Sequence, residues 1–247
     1  MKNTPSNVSL IRSLSLLPFL HRRASAFLFI ASLLISQVVY GQPQTQAIQQ
    51  QVALLQPYQE QINKRLTHSQ VLVGHIAERL TKKSLPKSLI LIPMLESSYN
   101  TQAVSHAGAA GLWQLIPSTA KRFGLKIDET KDERFNAHES TDAALDYLAF
   151  LYNKFGEDLS LTLAAYNAGE GRVDRAIRRA KTNHYSSLTL PTETTQYVAR
   201  FYALNQIVNL GEVIPQRLKS YALFGSNFTA NNQPLVDLKP LPPLINL

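Results

Sequence analysis

Apolar residues along most of this chain recur every three or four positions, which is the spacing of one face of an α-helix. The clearest case is the segment 139–156, which ends at a helix-terminating Gly156. Its apolar face consists of Ala144, Leu145, Leu148, Leu151, Tyr152 and Phe155. The segment 191–211 repeats the pattern, and no segment shows the sustained two-residue alternation of a strand. The sequence therefore predicts an essentially all-α domain over about residues 70–212.

Two stretches before this pattern predict shorter helices. Residues 44–81 are rich in glutamine, with apolar residues at helical intervals, and we expect short helices that pack onto the main domain. Residues 84–97, SLPKSLILIPMLES, are apolar nearly all round, as in a buried helix. Pro86 suits the first turn of that helix, whereas Pro93 lies inside the pattern and is expected to bend or shorten it.

The N-terminus has the pattern of an export signal. Arg22 and Arg23 precede a mostly apolar stretch, residues 24–36, that is too short for a comfortable membrane span. Small residues just before Gln42 suit a signal peptidase that cuts after Gly41. The alternative is an uncleaved anchor, because the leader is long and the apolar stretch can be extended further. Either way, the folded part is expected to be exported.

The chain is expected to divide into four parts. In order they are a signal peptide or anchor (1–41), a short helical N-terminal extension (42–83), the main helical domain (84–212) and a proline-rich tail (213–247). The end of the tail, QPLVDLKPLPPLINL, has the composition of an extended or disordered segment, and partner binding is the minority interpretation.

Charge and cysteine content exclude several classes of function. The net charge is +8, but four of the 25 basic residues lie in the first 41 residues, which contain no acid, so 21 basic and 17 acidic residues remain. Nucleic acid is not an expected partner, because no basic block is interleaved with aromatic residues. The arginines of RVDRAIRRAK (172–181) favour a solvated helix face, with an anion-binding patch as the alternative. The absence of cysteine excludes disulfides, thiolate chemistry and a cysteine-linked lipid anchor.

Glu96 is the strongest candidate for chemistry, because it ends the apolar run ILIPML. Apolar neighbours desolvate a carboxylate, and a helix C-terminus presents negative partial charge to it; both effects favour the protonated form. A carboxylic acid that stays neutral near pH 7 can act as a general acid. The alternative is a solvated glutamate at a fraying helix end.

Four sequence blocks decide between these interpretations. They are ESSYN at 96–100, GAAGLWQLIPSTAKRFGL at 108–125, LAAYNAGEGRV at 163–173 and TTQYV at 194–198. In this order and spacing they resemble the lytic transglycosylase domain of the goose-lysozyme-like superfamily, and most closely the group of membrane-bound lytic murein transglycosylase D. The resemblance covers about residues 84–210 and implies a lysozyme-like helical fold.

The resemblance also implies roles for individual residues. Glu96 corresponds to the family's catalytic acid and base, and four residues are expected to line the sugar cleft. These four are Ser105, Gln114, Tyr166 and Asn167. Neutral donors and acceptors suit the hydroxyl and acetamide groups of a glycan. Tyr99 and Trp113 offer flat apolar faces for sugar rings, with core packing as the alternative for each.

Three features depart from the family pattern. Thr101 stands where the family usually has proline, so the loop after the catalytic helix is expected to be less rigid. Ile116 stands where many relatives have methionine, a conservative apolar exchange. Many proteins of the group continue into LysM repeats, and no such repeat follows here, so wall attachment by a second module is not expected.

The function that the resemblance implies is non-hydrolytic cleavage of the β-1,4 bond between N-acetylmuramic acid and N-acetylglucosamine in peptidoglycan, which gives 1,6-anhydromuramic ends. The protein is then expected in the periplasm or envelope of a bacterium, with no metal or cofactor, and with the membrane involved only through an uncleaved N-terminus.

Three alternatives stay open. The first is a hydrolytic muramidase, for which no second carboxylate is evident beside Glu96, although Asp142 or Glu170 could fold into the cleft. The acids of the stretch 128–133 have the pattern of a solvated loop. The second is a glycan-binding scaffold. The third is a specialised wall-opening enzyme of a secretion or polysaccharide-export apparatus, with an envelope protein complex as its partner.

We predict that the mature protein begins at Gln42, because small residues occupy the positions that a signal peptidase reads. Intact-mass analysis of the exported protein measures this directly. A chain that retains residues 1–41 would establish an anchor instead.

Overall fold

The computed structural model describes residues 45–214. The predicted signal segment (1–41) and all but the first two residues of the predicted tail (213–247) lie outside this range.

The described part of the chain is built from ten α-helices. They are α1 (45–55), α2 (Gln59–His68), α3 (Gln70–Lys82), α4 (Ile92–Ser97), α5 (Pro117–Arg122), α6 (Ala137–Lys154), α7 (Leu159–Ala168), α8 (Glu170–Ala180), α9 (Thr192–Ile207) and α10 (Leu210–Val213). Short 3-10 turns lie at Gln56–Tyr58, Lys87–Leu91, Glu133–Phe135 and Tyr185–Ser187. Between residues 45 and 214 extended pairing is limited to three isolated β-bridges. The predicted all-α class is confirmed.

Side-chain caps fix where two of the central helices begin. The Asn136 side chain accepts hydrogen bonds from the amides of His138 (3.0 Å) and Glu139 (3.3 Å), so α6 starts before the segment predicted from its apolar face. The Asp158 carboxylate accepts from the amide of Leu161 (2.9 Å) at the start of α7. Both caps satisfy amides that have no partner inside the first helical turn.

Pro93 divides the predicted buried helix of residues 84–97. The 3-10 turn Lys87–Leu91 comes first, and α4 begins at Ile92, so that Pro93 lies in its first turn. Proline is tolerated there because the amides of the first turn have no helical partner. The expected shortening is confirmed, and the six-residue α4 buries Ile92, Pro93, Met94 and Leu95.

Helix α7 lies at the centre of the helical core, packed against α6, α8 and α9. Leu163, Ala164 and Ala165 are fully buried, and the two alanines allow close approach of the neighbouring helices. Apolar residues of the N-terminal helices, among them Ile62, Leu66 and Leu80, belong to the same buried cluster as these. The division near residue 83 therefore stays a prediction. No helix within residues 45–214 is long and apolar enough to cross a membrane.

A buried arginine holds the long loop between α4 and α5. Arg134 Nη1 donates hydrogen bonds to the carbonyl oxygens of Gly108 (2.7 Å) and Leu115 (3.1 Å). The Asp132 carboxylate binds the Nε and Nη2 atoms of the same guanidinium at 2.6–3.2 Å. Glu133 is also buried and accepts from the amide of Lys126 (2.7 Å). The prediction of a solvated loop at 128–133 is thus wrong for Asp132 and Glu133, because each satisfies a specific buried partner.

We predict that Gly111→Ala destabilises the fold far more than Gly108→Ala. Both glycines have a positive φ (78° and 79°), so both substitutions carry a similar backbone cost, about 1–2 kcal/mol. A Cβ at Gly111 would lie 1.9 Å from the carbonyl oxygen of Arg134, whereas a Cβ at Gly108 meets no atom within 4 Å. Denaturant unfolding of both variants is the measurement.

The steric clash should add at least about 2 kcal/mol to the Gly111→Ala loss of unfolding free energy. Equal losses in the two variants would contradict the close approach of Gly111 to Arg134.

Candidate active site

Glu96 lies in the last turn of α4, where the chain reverses sharply. Ser98 and Tyr99 both adopt left-handed conformations (φ 51° and 63°), and their amides bond back to Met94 (3.3 Å) and Pro93 (3.0 Å). The Ser97 hydroxyl donates to the carbonyl oxygen of Leu112 (2.8 Å) and so ties the helix end to the following loop. These bonds hold Glu96 at a fixed point between α4 and that loop.

A cleft of about 580 Å³ opens beside Glu96. The four residues predicted to line the sugar cleft all contribute to its walls, and so do several residues from α5 to α9. The four are Ser105, Gln114, Tyr166 and Asn167, and the others include Ile116, Arg122, Tyr147, Glu170 and Glu193. The structure therefore brings the predicted polar residues and Glu96 to one cavity, although they lie on three separate segments of the chain.

The Glu96 carboxyl group is half-buried, and burial is the main reason that its pKa rises from an ordinary value of 4.5 to about 7. The Tyr197 hydroxyl donates to Glu96 Oε1 (2.7 Å), which lowers the pKa, and the nearby charge of Glu193 raises it. Burial prevails over the hydrogen bond. Since Tyr197 donates to Oε1, the proton of neutral Glu96 belongs on Oε2.

Ser105 and Gln114 are positioned by the backbone of the α4–α5 loop. The Ser105 hydroxyl accepts from the amide of Ala109 (3.0 Å). The Gln114 side-chain NH₂ donates to the carbonyl oxygens of Ala103 (3.1 Å) and Gly111 (2.8 Å). These two acceptors fix the orientation of the amide, so the Gln114 carbonyl oxygen stays available as an acceptor in the cleft.

Tyr166 and Asn167 enter the cleft from the C-terminal end of α7. The Tyr166 hydroxyl donates to the carbonyl oxygen of Trp113 (2.8 Å), and its ring packs against Tyr147 at 5.5 Å between centroids. Burial, with the nearby Glu96, raises the pKa of Tyr166 well above its usual value, so the hydroxyl stays protonated. The Asn167 side chain makes no hydrogen bond within residues 45–214, which leaves both ends of its amide for a ligand.

The structure places Tyr99 and Trp113 in the core, and neither lines the cleft as predicted. Trp113 is fully buried, and its Nε1 donates to the Thr141 hydroxyl (3.0 Å). Tyr99 is 6% exposed, and its hydroxyl donates to the carbonyl oxygen of Ile90 (2.6 Å). Each polar atom has a buried partner, and this favours packing over sugar binding. Trp113 contributes to the site only through its carbonyl oxygen, which accepts from Tyr166.

The cleft contains two carboxylates besides Glu96, contrary to the expectation that none is near. Glu170 accepts from Arg122 (2.5 Å) and from the Tyr147 hydroxyl (3.2 Å). Burial alone would raise the pKa of Glu170, but these hydrogen bonds lower it overall. Glu193 is exposed at the cleft edge. Asp142, the other acid considered from sequence, does not line the cleft and pairs instead with Arg79.

Sequence reasoning missed Tyr197 as the hydrogen-bond partner of Glu96. Its position in the helical pattern predicts an inward-facing residue, and it is indeed 1% exposed. The available signal was the block TTQYV, which places a tyrosine hydroxyl in a motif otherwise made of common helix residues. A second missed feature is Arg122, which stacks over Phe150 at 4.6 Å and holds Glu170.

Metal-ligand geometry does not occur in residues 45–214, where no three His, Cys, Asp or Glu side chains are grouped for a metal ion. His138 contacts His75 (Nδ1 to Nε2, 3.3 Å), and His106 and His184 are exposed.

Comparison with protein families identifies the domain. Residues 75–188 match the family model described as the transglycosylase SLT domain. This chain contains a transglycosylase SLT domain. The match begins within α3, before the predicted boundary at residue 84, and includes Glu96 and the four polar residues of the cleft wall. Tyr197 and Glu193 lie beyond its end.

Relatives with printed functions match over the same region. Membrane-bound lytic murein transglycosylase D of Escherichia coli K12 is 44% identical over 137 residues, which cover 54% of this chain and 30% of that protein. A putative tributyltin chloride resistance protein of Alteromonas sp. strain M-1 is 41% identical over 122 residues, or 49% of this chain and 58% of that protein. The crystal structure of the 70 kDa soluble lytic transglycosylase of E. coli aligns with a TM-score of 0.47 and 26% identity, over 54% of this chain and 23% of that chain. The SLT-domain chain thus spans less than two thirds of each of these proteins.

We predict that Tyr197→Phe moves the alkaline limb of the activity profile to higher pH. The tyrosine hydroxyl lowers the pKa of Glu96, so its removal raises that pKa and keeps the acid protonated over a wider range. A shift of about one pH unit corresponds to the loss of one hydrogen bond to a charged group. The measurement is kcat/KM against pH on a glycan substrate.

Tyr202→Phe is the matched control, since it removes a hydroxyl from the same helix that bonds Ser160 (2.8 Å) and does not line the cleft. An unshifted profile in Tyr197→Phe, or an equal shift in Tyr202→Phe, would contradict the role of Tyr197.

Proposed function

We propose that this protein is a peptidoglycan lytic transglycosylase, with Glu96 as the group that transfers the proton. The observation that carries the proposal is the raised pKa of Glu96, about 7, in a cleft whose other walls supply uncharged donors and acceptors. The SLT-domain match and the name of the 44% identical relative, a lytic murein transglycosylase, support the same reaction.

In the proposed first step, Glu96 protonates the glycosidic oxygen between N-acetylmuramic acid and N-acetylglucosamine. The proton leaves Oε2, because Oε1 accepts from Tyr197. The resulting carboxylate keeps that hydrogen bond, which stabilises the charged form at the moment when it appears. Tyr197 therefore raises the acidity of Glu96 and stabilises its conjugate base in a single contact.

In the second step, the C6 hydroxyl of the muramic residue closes the 1,6-anhydro ring and gives its proton to the Glu96 carboxylate. The family resemblance implies that the muramic acetamide stabilises the cation formed between the two steps. In this assignment Asn167 and the Gln114 carbonyl oxygen bind hydroxyl or acetamide groups of the sugar, since both have free hydrogen-bonding atoms in the cleft. Glu96 ends each cycle protonated.

A hydrolytic muramidase is the second candidate, and the two further cleft carboxylates favour it over other rivals. Glu193 is exposed and forms no ion pair with a base in residues 45–214, so it is able to activate water. An inverting hydrolase requires about 6.5–9.5 Å between its two carboxyl groups. Glu170 is a weaker candidate, because Arg122 and Tyr147 already bind its oxygens.

We further propose that the enzyme acts in the bacterial cell envelope. Its glycan substrate is found there, and the predicted signal at residues 1–41 would export the chain. The choice between general wall turnover and a dedicated secretion or export complex belongs to its protein partners, which affinity capture from envelope fractions would identify.

We predict that Glu96→Gln abolishes glycan cleavage and leaves the fold intact. Glutamine keeps the shape and the acceptor for Tyr197 but has no transferable proton, and removal of a general acid costs about 10²–10⁴-fold in rate. Turnover on purified peptidoglycan is the measurement, with the exposed Glu139→Gln as the matched control. Substantial turnover by folded Glu96→Gln would assign the acid to another residue.

The same variant is expected to be more stable than the native protein above pH 7. The pKa of Glu96 is higher in the folded protein (about 7) than its ordinary value (4.5), so the stabilising contribution of the proton is complete below pH 4.5 and is lost as the pH rises to 7. The difference in unfolding free energy should therefore grow from near zero at pH 4 to about 3 kcal/mol at pH 8. A constant difference across this range would contradict a buried, protonated Glu96.

We predict 1,6-anhydromuramic ends on the products of peptidoglycan digestion. Each anhydro product is one water lighter than its hydrolysed counterpart, so mass spectrometry of the released muropeptides separates the two reactions. Predominantly reducing-end products would establish the muramidase. Glu193→Gln then serves as the diagnostic variant, because it would abolish hydrolysis but would not remove the acid of a transglycosylase.

A further inference from the structure

A second cavity, of about 310 Å³, lies along helix α8. Three arginines one or two turns apart form one wall, and the segment 189–191, which leads into α9, forms the other. The arginines are Arg172, Arg175 and Arg179. We call this cavity, with its walls, the α8 groove. Thr189, Leu190 and Pro191 complete it, and no acidic residue lines it.

The three arginines of the α8 groove have no carboxylate partner in the described part of the chain. The acids of α8 are committed elsewhere: Glu170 pairs with Arg122 (2.5 Å) and Asp174 with Lys154 (3.0 Å). Each guanidinium of the groove is exposed and forms no ion pair within residues 45–214. Three positive charges therefore surround one concave surface, at a cost in mutual repulsion that an anion would relieve.

The α8 groove adjoins the cleft, because the same two chain segments wall both cavities. Glu170 and Glu193 line the cleft, and Arg172 follows Glu170 by two residues while Pro191 precedes Glu193 by two. From Arg172 to Arg179 the groove runs about 10 Å along the helix, at 1.5 Å per residue. A ligand that occupies the cleft can therefore extend into the groove without leaving the protein surface.

The chemistry of the groove complements the part of peptidoglycan that the cleft does not bind. The lining of the cleft near Glu96 is suited to neutral sugar groups, whereas the carboxylates of peptidoglycan lie on the peptide stems attached to muramic acid. Guanidinium groups bind carboxylates in a planar, two-point geometry. Leu190 and Pro191 add an apolar wall that suits the methyl groups of a peptide.

We propose that the α8 groove binds a carboxylate of the stem peptide and so makes the enzyme selective for glycan that carries peptides. This inference rests on the proposed function, since it names the part of the same substrate that lies outside the cleft. The concave shape and the continuity with the cleft favour a substrate peptide over an anionic membrane surface, which would bind a flat or convex face.

The test compares two substrates in one enzyme. Purified sacculi carry intact stems, whereas glycan strands treated with an amidase have lost them. The variant is the triple replacement Arg172→Gln, Arg175→Gln and Arg179→Gln, and the matched control is Arg178→Gln, an exposed and unpaired arginine of the same helix that does not line the groove. Equal unfolding midpoints establish that the variants are folded.

We expect the ratio of kcat/KM on sacculi to kcat/KM on peptide-free strands to fall about five- to tenfold in the triple variant, since each exposed charge pair contributes up to about fivefold. The fall should shrink at high salt, because exposed charges are screened. Replacement of the three arginines by lysine should restore only part of the ratio. Arg178→Gln should keep the native ratio.

Three results would overturn the inference while the native enzyme still cleaves both substrates. The ratio is unchanged if the arginines are merely solvated. Equal losses on both substrates would assign the groove to the glycan itself. Loss of binding to vesicles of anionic lipid, with an unchanged ratio, would assign it to a membrane surface. Failure of the native enzyme on both substrates would instead refute the proposed function.

Discussion

The whole site depends on the removal of one carboxyl group from water. Burial raises the pKa of Glu96 to about 7, although Tyr197 donates a hydrogen bond that favours the charged form. The balance is useful because it is close: a stronger set of donors would ionise the acid at neutral pH, and complete burial without Tyr197 would leave the conjugate base unsupported. The short, fully apolar α4 supplies the burial, and α9 supplies the single donor.

The polar walls of the cleft depend on a different constraint, the clamped loop between α4 and α5. Arg134 binds two carbonyl oxygens of this loop, and Gly111 passes so close to the Arg134 backbone that no side chain fits. The loop then places Ser105 and Gln114 opposite α7. Gln114 adopts a positive φ of 46°, a conformation held by its own side-chain bonds to two loop carbonyls. Cleft geometry and loop stability are thus one property.

Local patterns predicted what local physics determines. The periodic apolar face gave α6 and α9, the position of Pro93 gave a shortened α4, and an acid after an apolar run gave Glu96 its raised pKa. The direction in which Trp113 points depends on Thr141, a partner 28 residues away, and the donor to Glu96 lies 101 residues away. Such partners follow from helix packing, which periodicity does not specify. The same reason hid Glu193 from the prediction of a cleft without a second acid.

The titration of Glu96 is the most direct test of this account, because every proposed step starts from its protonated form. With glutamate labelled at the side-chain carboxyl carbon, the chemical shift of Glu96 against pH reports its pKa without reference to any substrate, and Glu96→Gln assigns the signal. A midpoint near 7 is predicted. A midpoint near the ordinary value of 4.5 would mean that the carboxyl group is solvated and ionised at neutral pH, and would contradict Glu96 as the acid.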